Sequence, residues 1–186
     1  FRMSSTQIVE GPIAAAIRAG ELPGRVWLYS NYHCNLACSY CLTESSPRSA
    51  RRELDPATMI EVAAQARALG FTGLGVTGGE PFLLAWLPET IVSMAAELPL
   101  VLLTNATLFA GERLERAALL AGHDVAVQIS LDSHLPDVND MARGPDNFAK
   151  VVEAVPRLIE RGVRVRIATT TAGPLDDPRL DPLRDL

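Results

Sequence analysis

The chain of 186 residues has no long hydrophobic stretch, no excess of positive charge and no low-complexity tract. A membrane-spanning helix needs about 18 or more consecutive apolar residues, and no run in the sequence approaches that length. The 17 Lys and Arg residues are outnumbered by 22 Asp and Glu residues, and the net charge of -5 gives no broad attraction for nucleic acid or an anionic membrane. We therefore expect neither a nucleic-acid partner nor a membrane partner.

The overall composition is that of a soluble globular protein, with 48% apolar and 21% charged residues. A chain of this length forms one domain with a sizeable core. The first residues do not have the pattern of a signal peptide, so we expect a cytoplasmic protein. Thiols stay reduced in that compartment, where clustered cysteines indicate a metal site or catalysis rather than disulfides.

Cysteine is also scarce, but all three cysteines lie within eight residues, at Cys34, Cys38 and Cys41. Three thiolates this close together on one loop can face one point, as a metal or cluster requires. A closed zinc site or a fully ligated iron–sulfur cluster takes four protein ligands, so one coordination position stays open for a substrate or cofactor. His33 would complete a zinc site, but adjacent side chains usually point apart.

Predicted strands and helices alternate along the chain. The predicted strands are residues 25–31, 72–77, 100–104, 124–131 and 163–170. The predicted helices are residues 12–19, 56–69, 88–98, 111–121 and 146–161, the last kinked at Pro156, with a further helix from about Pro178. We divide the chain into an N-terminal extension, 1–24, and a core, 25–186. This α/β alternation implies a parallel sheet covered by helices, either an open doubly wound sheet or a partial barrel.

Unusual residues follow the predicted strands one after another. In both parallel architectures, the functional groups gather beyond the carboxyl ends of the strands. In this chain those positions hold Cys34, Cys38, Cys41, Gly78, Gly79, Glu80, Thr104, Asn105, Ser130, Asp132, Thr170 and Thr171. We therefore expect these residues to share one rim of the sheet.

Several rim residues also have simpler interpretations. Gly78 and Gly79 either form an ordinary turn or let a ligand approach the backbone closely. Glu80 either caps the next helix or binds an ammonium group, and the hydroxyl and amide groups of other rim residues fit helix caps. Arg166 lies on the same strand face as Arg164 and nearer the rim, so it needs an anionic partner if it is buried. The carboxylate of a bound ligand would serve.

The motifs at these positions resemble those of the radical S-adenosylmethionine (radical SAM) superfamily. The resemblance rests on the cysteine spacing with Tyr40 before the last cysteine, and on the segments Thr77-Gly78-Gly79-Glu80-Pro81, Leu103-Thr104-Asn105, Ser130-Leu131-Asp132 and Arg143-Gly144. It covers residues 25–172. It implies the family's partial (βα)6 barrel, with about five βα units present and the sixth strand missing, so we expect the front part of a longer protein.

The resemblance also implies two cofactors. Cys34, Cys38 and Cys41 would each hold one iron of a [4Fe-4S] cluster, and the amino and carboxylate groups of S-adenosylmethionine (SAM) would chelate the fourth iron. The methionine ammonium would lie at Glu80 and the backbone of Gly78 and Gly79. The family pattern further makes cofactor-binding candidates of Tyr40, which would lie near the adenine, of Ser130, near the methionine or ribose, and of Thr104, Asn105, Asp132 and Arg166.

The activity implied by the resemblance is reductive cleavage of SAM to methionine and a 5′-deoxyadenosyl radical, which takes a hydrogen atom from a substrate. The motifs are most similar to the branch with the molybdenum-cofactor enzyme, heme- and quinone-cofactor maturases and peptide-modifying enzymes. We therefore expect a peptide or a small cofactor precursor as substrate, and a flavodoxin or ferredoxin as electron donor.

Two departures from that branch limit the prediction. Gly75 stands where the molybdenum-cofactor enzyme carries a substrate-binding arginine, and the chain has no further cysteines for auxiliary clusters. The competing hypothesis is a noncatalytic module in which the same three cysteines and one further ligand hold structural zinc.

Overall fold

A computed structural model describes residues 11–171 and 181–184 of the chain. Five strands form one parallel sheet in which each strand pairs with the next along the chain. They are β1 (Arg25–Tyr29), β2 (Gly73–Thr77), β3 (Leu100–Thr104), β4 (Val125–Ser130) and β5 (Val165–Ala168). A doubly wound sheet reverses its strand order at a switch point, whereas a barrel wall keeps chain order. The predicted partial barrel is therefore confirmed, and the doubly wound alternative is wrong.

Helices lie between the strands and at both ends of the described segments. They are α1 (Pro12–Arg18), α2 (Pro56–Ala68), α3 (Leu87–Ala95), α4 (Glu112–Ala117), α5 (Pro136–Arg143), α6 (Asn147–Glu160) and α7 (Asp181–Arg184), with short 3-10 turns at Pro81–Leu83 and Ala118–Leu120. The predicted helix from Pro178 begins outside the described residues, and α7 is its described part. Pro156 lies inside α6, where its kink stays a prediction. Among the described helices, none is long and apolar enough to span a bilayer.

Helix α2 begins as the sequence predicts. Asp55 caps it by accepting a hydrogen bond from the backbone N–H of Thr58 at 3.0 Å, and Pro56 is its first residue. In contrast, α5 has no counterpart among the predicted helices, because its apolar residues do not mark a buried face. Its buried residues are Asn139 and Arg143, while its exposed residues include the apolar Val138 and Met141.

The two faces of the sheet differ in character. One face packs against the helices through alternate residues of the strands, including Leu28, Leu74, Val76, Leu100, Leu102, Val125, Val127 and Ile129. The β4 members of this set, Val125, Val127 and Ile129, are alternate residues and so share one face of the sheet. Apolar burial of this kind contributes about 25 cal/mol per Å² removed from water. The helix-facing core therefore holds the strand ends, and any groups on them, at fixed positions.

The opposite face carries an aromatic side chain over a glycine. Trp27 of β1 pairs in register with Gly75 of β2. A Cβ atom at Gly75 would lie 2.3 Å from Cε3 of Trp27, so the indole occupies the space above the glycine. Trp27 is 46% exposed. It lines a cavity on this face.

Candidate active site

A cavity of about 760 Å³ opens at the carboxyl ends of the strands. Thirteen of the rim and motif residues singled out in the sequence line it together: Cys34, Cys38, Tyr40, Cys41, Thr77, Gly78, Gly79, Leu103, Thr104, Asn105, Ser130, Arg143 and Thr170. Apolar and aromatic residues complete the lining, among them Trp27, Tyr29, Leu36 and Leu42. Ligand sites typically measure about 300–1,000 Å³ and combine apolar walls with a few polar groups. The expected common rim therefore exists, and it encloses a space of ligand size.

Hydrogen-bond donors point at two of the three cysteine sulfur atoms. The Sγ atom of Cys34 accepts from the backbone N–H of Leu36 at 3.3 Å, and the Sγ atom of Cys41 accepts from the backbone N–H of Ser45 at 3.3 Å. Cys38 differs, since its thiol donates to the carbonyl of Arg143 at 3.8 Å. Backbone donors of this kind stabilise thiolates, the form that binds a metal.

The three thiols differ in pKa because they differ in burial and in the hydrogen bonds that they receive. Burial raises the pKa of Cys34 to about 11, and burial also raises the pKa of Cys38. Burial acts in the same direction on Cys41, but hydrogen bonds from Thr43 and Ser45 outweigh it and lower its pKa. Without metal, Cys34 and Cys38 are therefore protonated at neutral pH. Metal binding must release their protons.

The three cysteines line one cavity. Within the described residues, no three His, Cys, Asp or Glu side chains converge closely enough to hold a single metal ion. The expectation that the three thiols face one cluster therefore stays a prediction. Tetrahedral zinc needs all its ligands around one ion, whereas each cysteine of a [4Fe-4S] cluster binds a different iron. The donor set fits a cluster and does not favour structural zinc, and His33 does not line the cavity.

Glu80 lies beneath the cavity and does not line it. Its carboxylate is 0% exposed. It accepts hydrogen bonds from the hydroxyl of Thr104 and the N–H of Asn105, both at 2.8 Å, and from the N–H of Phe82 at 3.0 Å. Burial raises the pKa of Glu80 to about 7, against the lowering effect of these hydrogen bonds. Its side chain caps the turn Pro81–Leu83 and joins β2 to β3, whereas its contact with an ammonium group stays a prediction.

Gly78 and Gly79 let the cysteine loop lie directly on the end of β2. A Cβ atom at Gly79 would lie 2.1 Å from the carbonyl oxygen of His33, and one at Gly78 would lie 2.4 Å from Oδ1 of Asn31. The N–H of Gly79 donates to the carbonyl of Asn31 at 2.9 Å. The Asn31 amide in turn donates to the carbonyls of His33 and Glu80 at 3.1 and 3.0 Å. Larger residues at these two positions would displace the loop that carries Cys34.

A buried ion pair holds the other side of the cavity. Arg143 donates to both carboxylate oxygens of Asp132, at 2.7 and 3.1 Å, and the two side chains are 7% and 10% exposed. The hydroxyl of Tyr40 donates to the same carboxylate, as does the N–H of Thr170 at 2.9 Å. Burial raises the pKa of Tyr40 to about 12, so it stays a donor. Arg143 lines the cavity, whereas Asp132 lies behind it.

Besides Glu80 and Asp132, a third predicted cofactor-binding residue does not line the cavity, and residues that were not predicted take part in the site. Arg166 lies opposite Gln128 on the edge strand, where it is exposed and does not line the cavity. Arg143 is a lining residue to which the sequence analysis assigned no role, although it belongs to a motif of the resemblance. The hydrogen bonds of Asn31 were also not predicted, and its position as a polar residue at the end of a predicted strand was only a weak indication of them. No sequence pattern indicated that Thr107 forms hydrogen bonds with Asn35 and Asn105 beside the cysteine loop.

Comparison with known families agrees with this geometry. The model of the family described as "Radical SAM superfamily" matches residues 28–184. The chain belongs to the radical SAM superfamily. Its cofactors are those of that family, a [4Fe-4S] cluster and SAM. The family and the cavity lining thus agree with the cluster interpretation of the three cysteines.

Two curated relatives illustrate the range of this superfamily. The chain is 33% identical over 155 residues to the mycofactocin maturase MftC of Mycobacterium ulcerans (strain Agy99), covering 78% of this chain and 40% of MftC. It is 29% identical over 153 residues to the probable GTP 3′,8-cyclase of Archaeoglobus fulgidus, covering 81% of this chain and 50% of that enzyme. The chain thus spans 40% to 50% of the length of these relatives.

A solved structure with bound S-adenosylmethionine has the same fold. The structure of Streptococcus suis SuiB bound to S-adenosylmethionine matches with a TM-score of 0.73 and 18% identity. The match covers 92% of this chain and 40% of SuiB. At this identity the likeness supports the fold alone, and it agrees with the partial barrel described above.

Proposed function

We propose that this chain is the cofactor-binding core of a radical SAM enzyme that acts on a peptide or a cofactor precursor. The observation that carries the proposal is the single cavity lined by Cys34, Cys38 and Cys41 on one side and by the Gly78-Gly79 turn on another. When bound, the cluster and SAM supply the electron and the 5′-deoxyadenosyl radical that abstracts hydrogen from substrate. The protein binds and orients both cofactors and keeps water away from them.

The cavity offers a defined set of groups for the cofactors. The three cysteines would hold the cluster after loss of their protons. Ser130 and Tyr40 line the cavity, and the family pattern would bring them near the methionine or ribose and near the adenine, respectively. Thr104 uses its hydroxyl to reach Glu80, so its contribution to SAM binding is through the shape of the wall.

Two relatives support the proposed substrate class, and one contact on the sheet face opposite the helices bears on it. MftC is a maturase, and SuiB has been solved bound to the precursor peptide SuiA. The indole of Trp27 lies over Gly75, the position that carries a substrate-binding arginine in the molybdenum-cofactor enzyme. This arrangement disfavours that enzyme's substrate. A flavodoxin or ferredoxin as electron donor, and a cytoplasmic location, stay predictions.

Anaerobic reconstitution with iron and sulfide tests the cluster. We expect iron and sulfide in the proportion of a [4Fe-4S] cluster, a brown colour and an electron paramagnetic resonance signal after reduction. Cys38→Ala should lose the cluster, whereas Ser39→Ala, a change at the next residue of the same loop, should retain it. A colourless protein that holds one zinc ion would end the proposal.

Addition of SAM to the reduced protein tests the second cofactor. We expect the resonance signal to change and 5′-deoxyadenosine to form. Ser130→Ala removes a hydroxyl from the cavity lining and should weaken SAM binding while leaving the iron content unchanged. Equal SAM affinity in this variant would remove Ser130 from the proposed site.

A further inference from the structure

The three cysteines differ in the donors that their sulfur atoms receive. Cys34 is buried, at 7% exposure. Its Sγ atom is approached by the side-chain amide nitrogen of Asn105 at 3.7 Å, in addition to the N–H of Leu36. Among the described residues, neither Cys38 nor Cys41 receives a hydrogen bond from a side-chain amide. Of the three cysteines, Cys34 is therefore the one whose sulfur is contacted by a side-chain amide, that of Asn105 directly after β3.

The orientation of the Asn105 amide is fixed by its neighbours. Its oxygen accepts from the backbone N–H of Thr107 at 3.0 Å and from the Thr107 hydroxyl at 2.7 Å. A backbone N–H can only donate, so the oxygen of Asn105 must face it. The NH2 group is then directed to Cys34 and to the side-chain oxygen of Asn35, which accepts at 3.0 Å.

The backbone of Asn105 is fixed as firmly as its side chain. Its N–H donates to the buried carboxylate of Glu80 at 2.8 Å, and the preceding hydroxyl of Thr104 donates to the same carboxylate. Asn105 itself is 8% exposed. A continuous set of hydrogen bonds therefore runs from the end of β2 through the end of β3 to the cysteine loop.

We propose that Asn105 is a positioning residue that raises the reduction potential of the cluster by donating a hydrogen bond to the sulfur of Cys34. Hydrogen bonds to cysteine sulfur stabilise the more negative, reduced state of an iron–sulfur cluster. Donors to ionised acceptors are also stronger than donors to neutral ones. This inference rests on the proposed function, because it requires that Cys34 holds the cluster.

The test compares midpoint potentials of the reconstituted protein. Asn105→Leu has a side chain of similar size without an N–H group, and it should hold the same amount of iron. We expect its reduction to be about tenfold less favourable, which is about 59 mV for a one-electron couple. Thr107→Val keeps the amide but removes one group that orients it, so a smaller shift in the same direction is expected. Ser39→Ala should have the wild-type potential.

The outcomes separate this inference from the proposed function. An Asn105→Leu protein with a full cluster and an unchanged potential overturns the inference and leaves the proposed function standing. If Asn105→Leu does not fold, as judged by circular dichroism, Thr107→Val decides, and an unchanged potential in that variant overturns the inference. If the unmodified protein forms no [4Fe-4S] cluster, the proposed function and the inference fall together.

Discussion

The two walls of the cavity are held together by different chemistry. The wall at the ends of β1, β2 and β3 is built from backbone groups and amides around one buried carboxylate, Glu80. The wall at the ends of β4 and β5 is built on the buried ion pair of Asp132 and Arg143. The first wall fixes the position of the cysteine loop through directional hydrogen bonds. The second brings a cation close to Cys38 and depends on charge balance.

The largest effect is expected in the ion-pair wall. Arg143→Ala leaves the Asp132 carboxylate buried without its partner, which should cost about 3–5 kcal/mol of unfolding free energy. Arg161→Ala is the matched control, because it removes an ion pair with Glu115 whose carboxylate side chain is 65% exposed. Exposed pairs contribute about 0–1 kcal/mol. Urea unfolding measures the loss of unfolding free energy in both variants. Equal losses would show that the buried ion pair stabilises the protein no more than the exposed one.

A smaller effect is expected in the hydrogen-bonded wall. Glu80→Gln keeps an oxygen for Phe82 and Thr104, but it directs an NH2 group at the N–H of Asn105. One buried donor then has no acceptor, which costs about 1–3 kcal/mol. Glu61→Gln changes an exposed glutamate that accepts from Gln65, and it should stay within about 0.5 kcal/mol of the unmodified protein. A Glu80→Gln protein as stable as Glu61→Gln would contradict the hydrogen-bond assignment.

The pH dependence of stability provides a finer comparison. Burial raises the pKa of Glu80 from its ordinary value of 4.5 to about 7. The folded protein therefore binds a proton that the unfolded chain has lost in this window. The stabilisation from that proton is complete below pH 4.5 and is lost as pH rises through about 7. Relative to Glu80→Gln, the unmodified protein should lose stability over this range. Parallel profiles from unfolding at several pH values would contradict the assignment.

The smallest effect is expected at the exposed edge of the ion-pair wall. Tyr40→Phe removes the hydroxyl that donates to Asp132 but keeps the ring, which lies 5.5 Å from the Arg143 guanidinium. Tyr40 is 38% exposed, so water can replace part of the lost interaction. We expect a loss of about 0.5–1.5 kcal/mol in urea unfolding. A loss as large as that of Arg143→Ala would mean that the hydroxyl, and not the arginine, supports Asp132.

The comparison of the walls also shows what the sequence could predict. Strand positions and the common rim follow from hydrophobic patterns and from polar residues at strand ends, and this reasoning located Cys34, Gly78, Asn105 and Ser130 on the cavity. It could not predict that Glu80 is buried beneath the cavity lining, because its partners Thr104 and Asn105 lie at the end of another strand. The partner of a side chain depends on tertiary contacts, which local patterns do not encode.

The same limit explains two other differences. Helix α5 was missed because its buried residues are polar and its apolar residues face outwards. Arg166 was placed at the rim by its strand position, but it lies on the edge strand. The described sheet has no further strand beyond β5 that would cover the side chain of Arg166.

The contact between Trp27 and Gly75 couples two positions that are distant in the chain. Any side chain at position 75 would need the volume that the indole fills, so a substitution there is tolerated only with a smaller residue at position 27. A redesign that introduces a cationic side chain at 75 should therefore replace the tryptophan in the same step. Across natural variants of this protein, a larger residue at position 75 should occur together with a smaller residue at position 27.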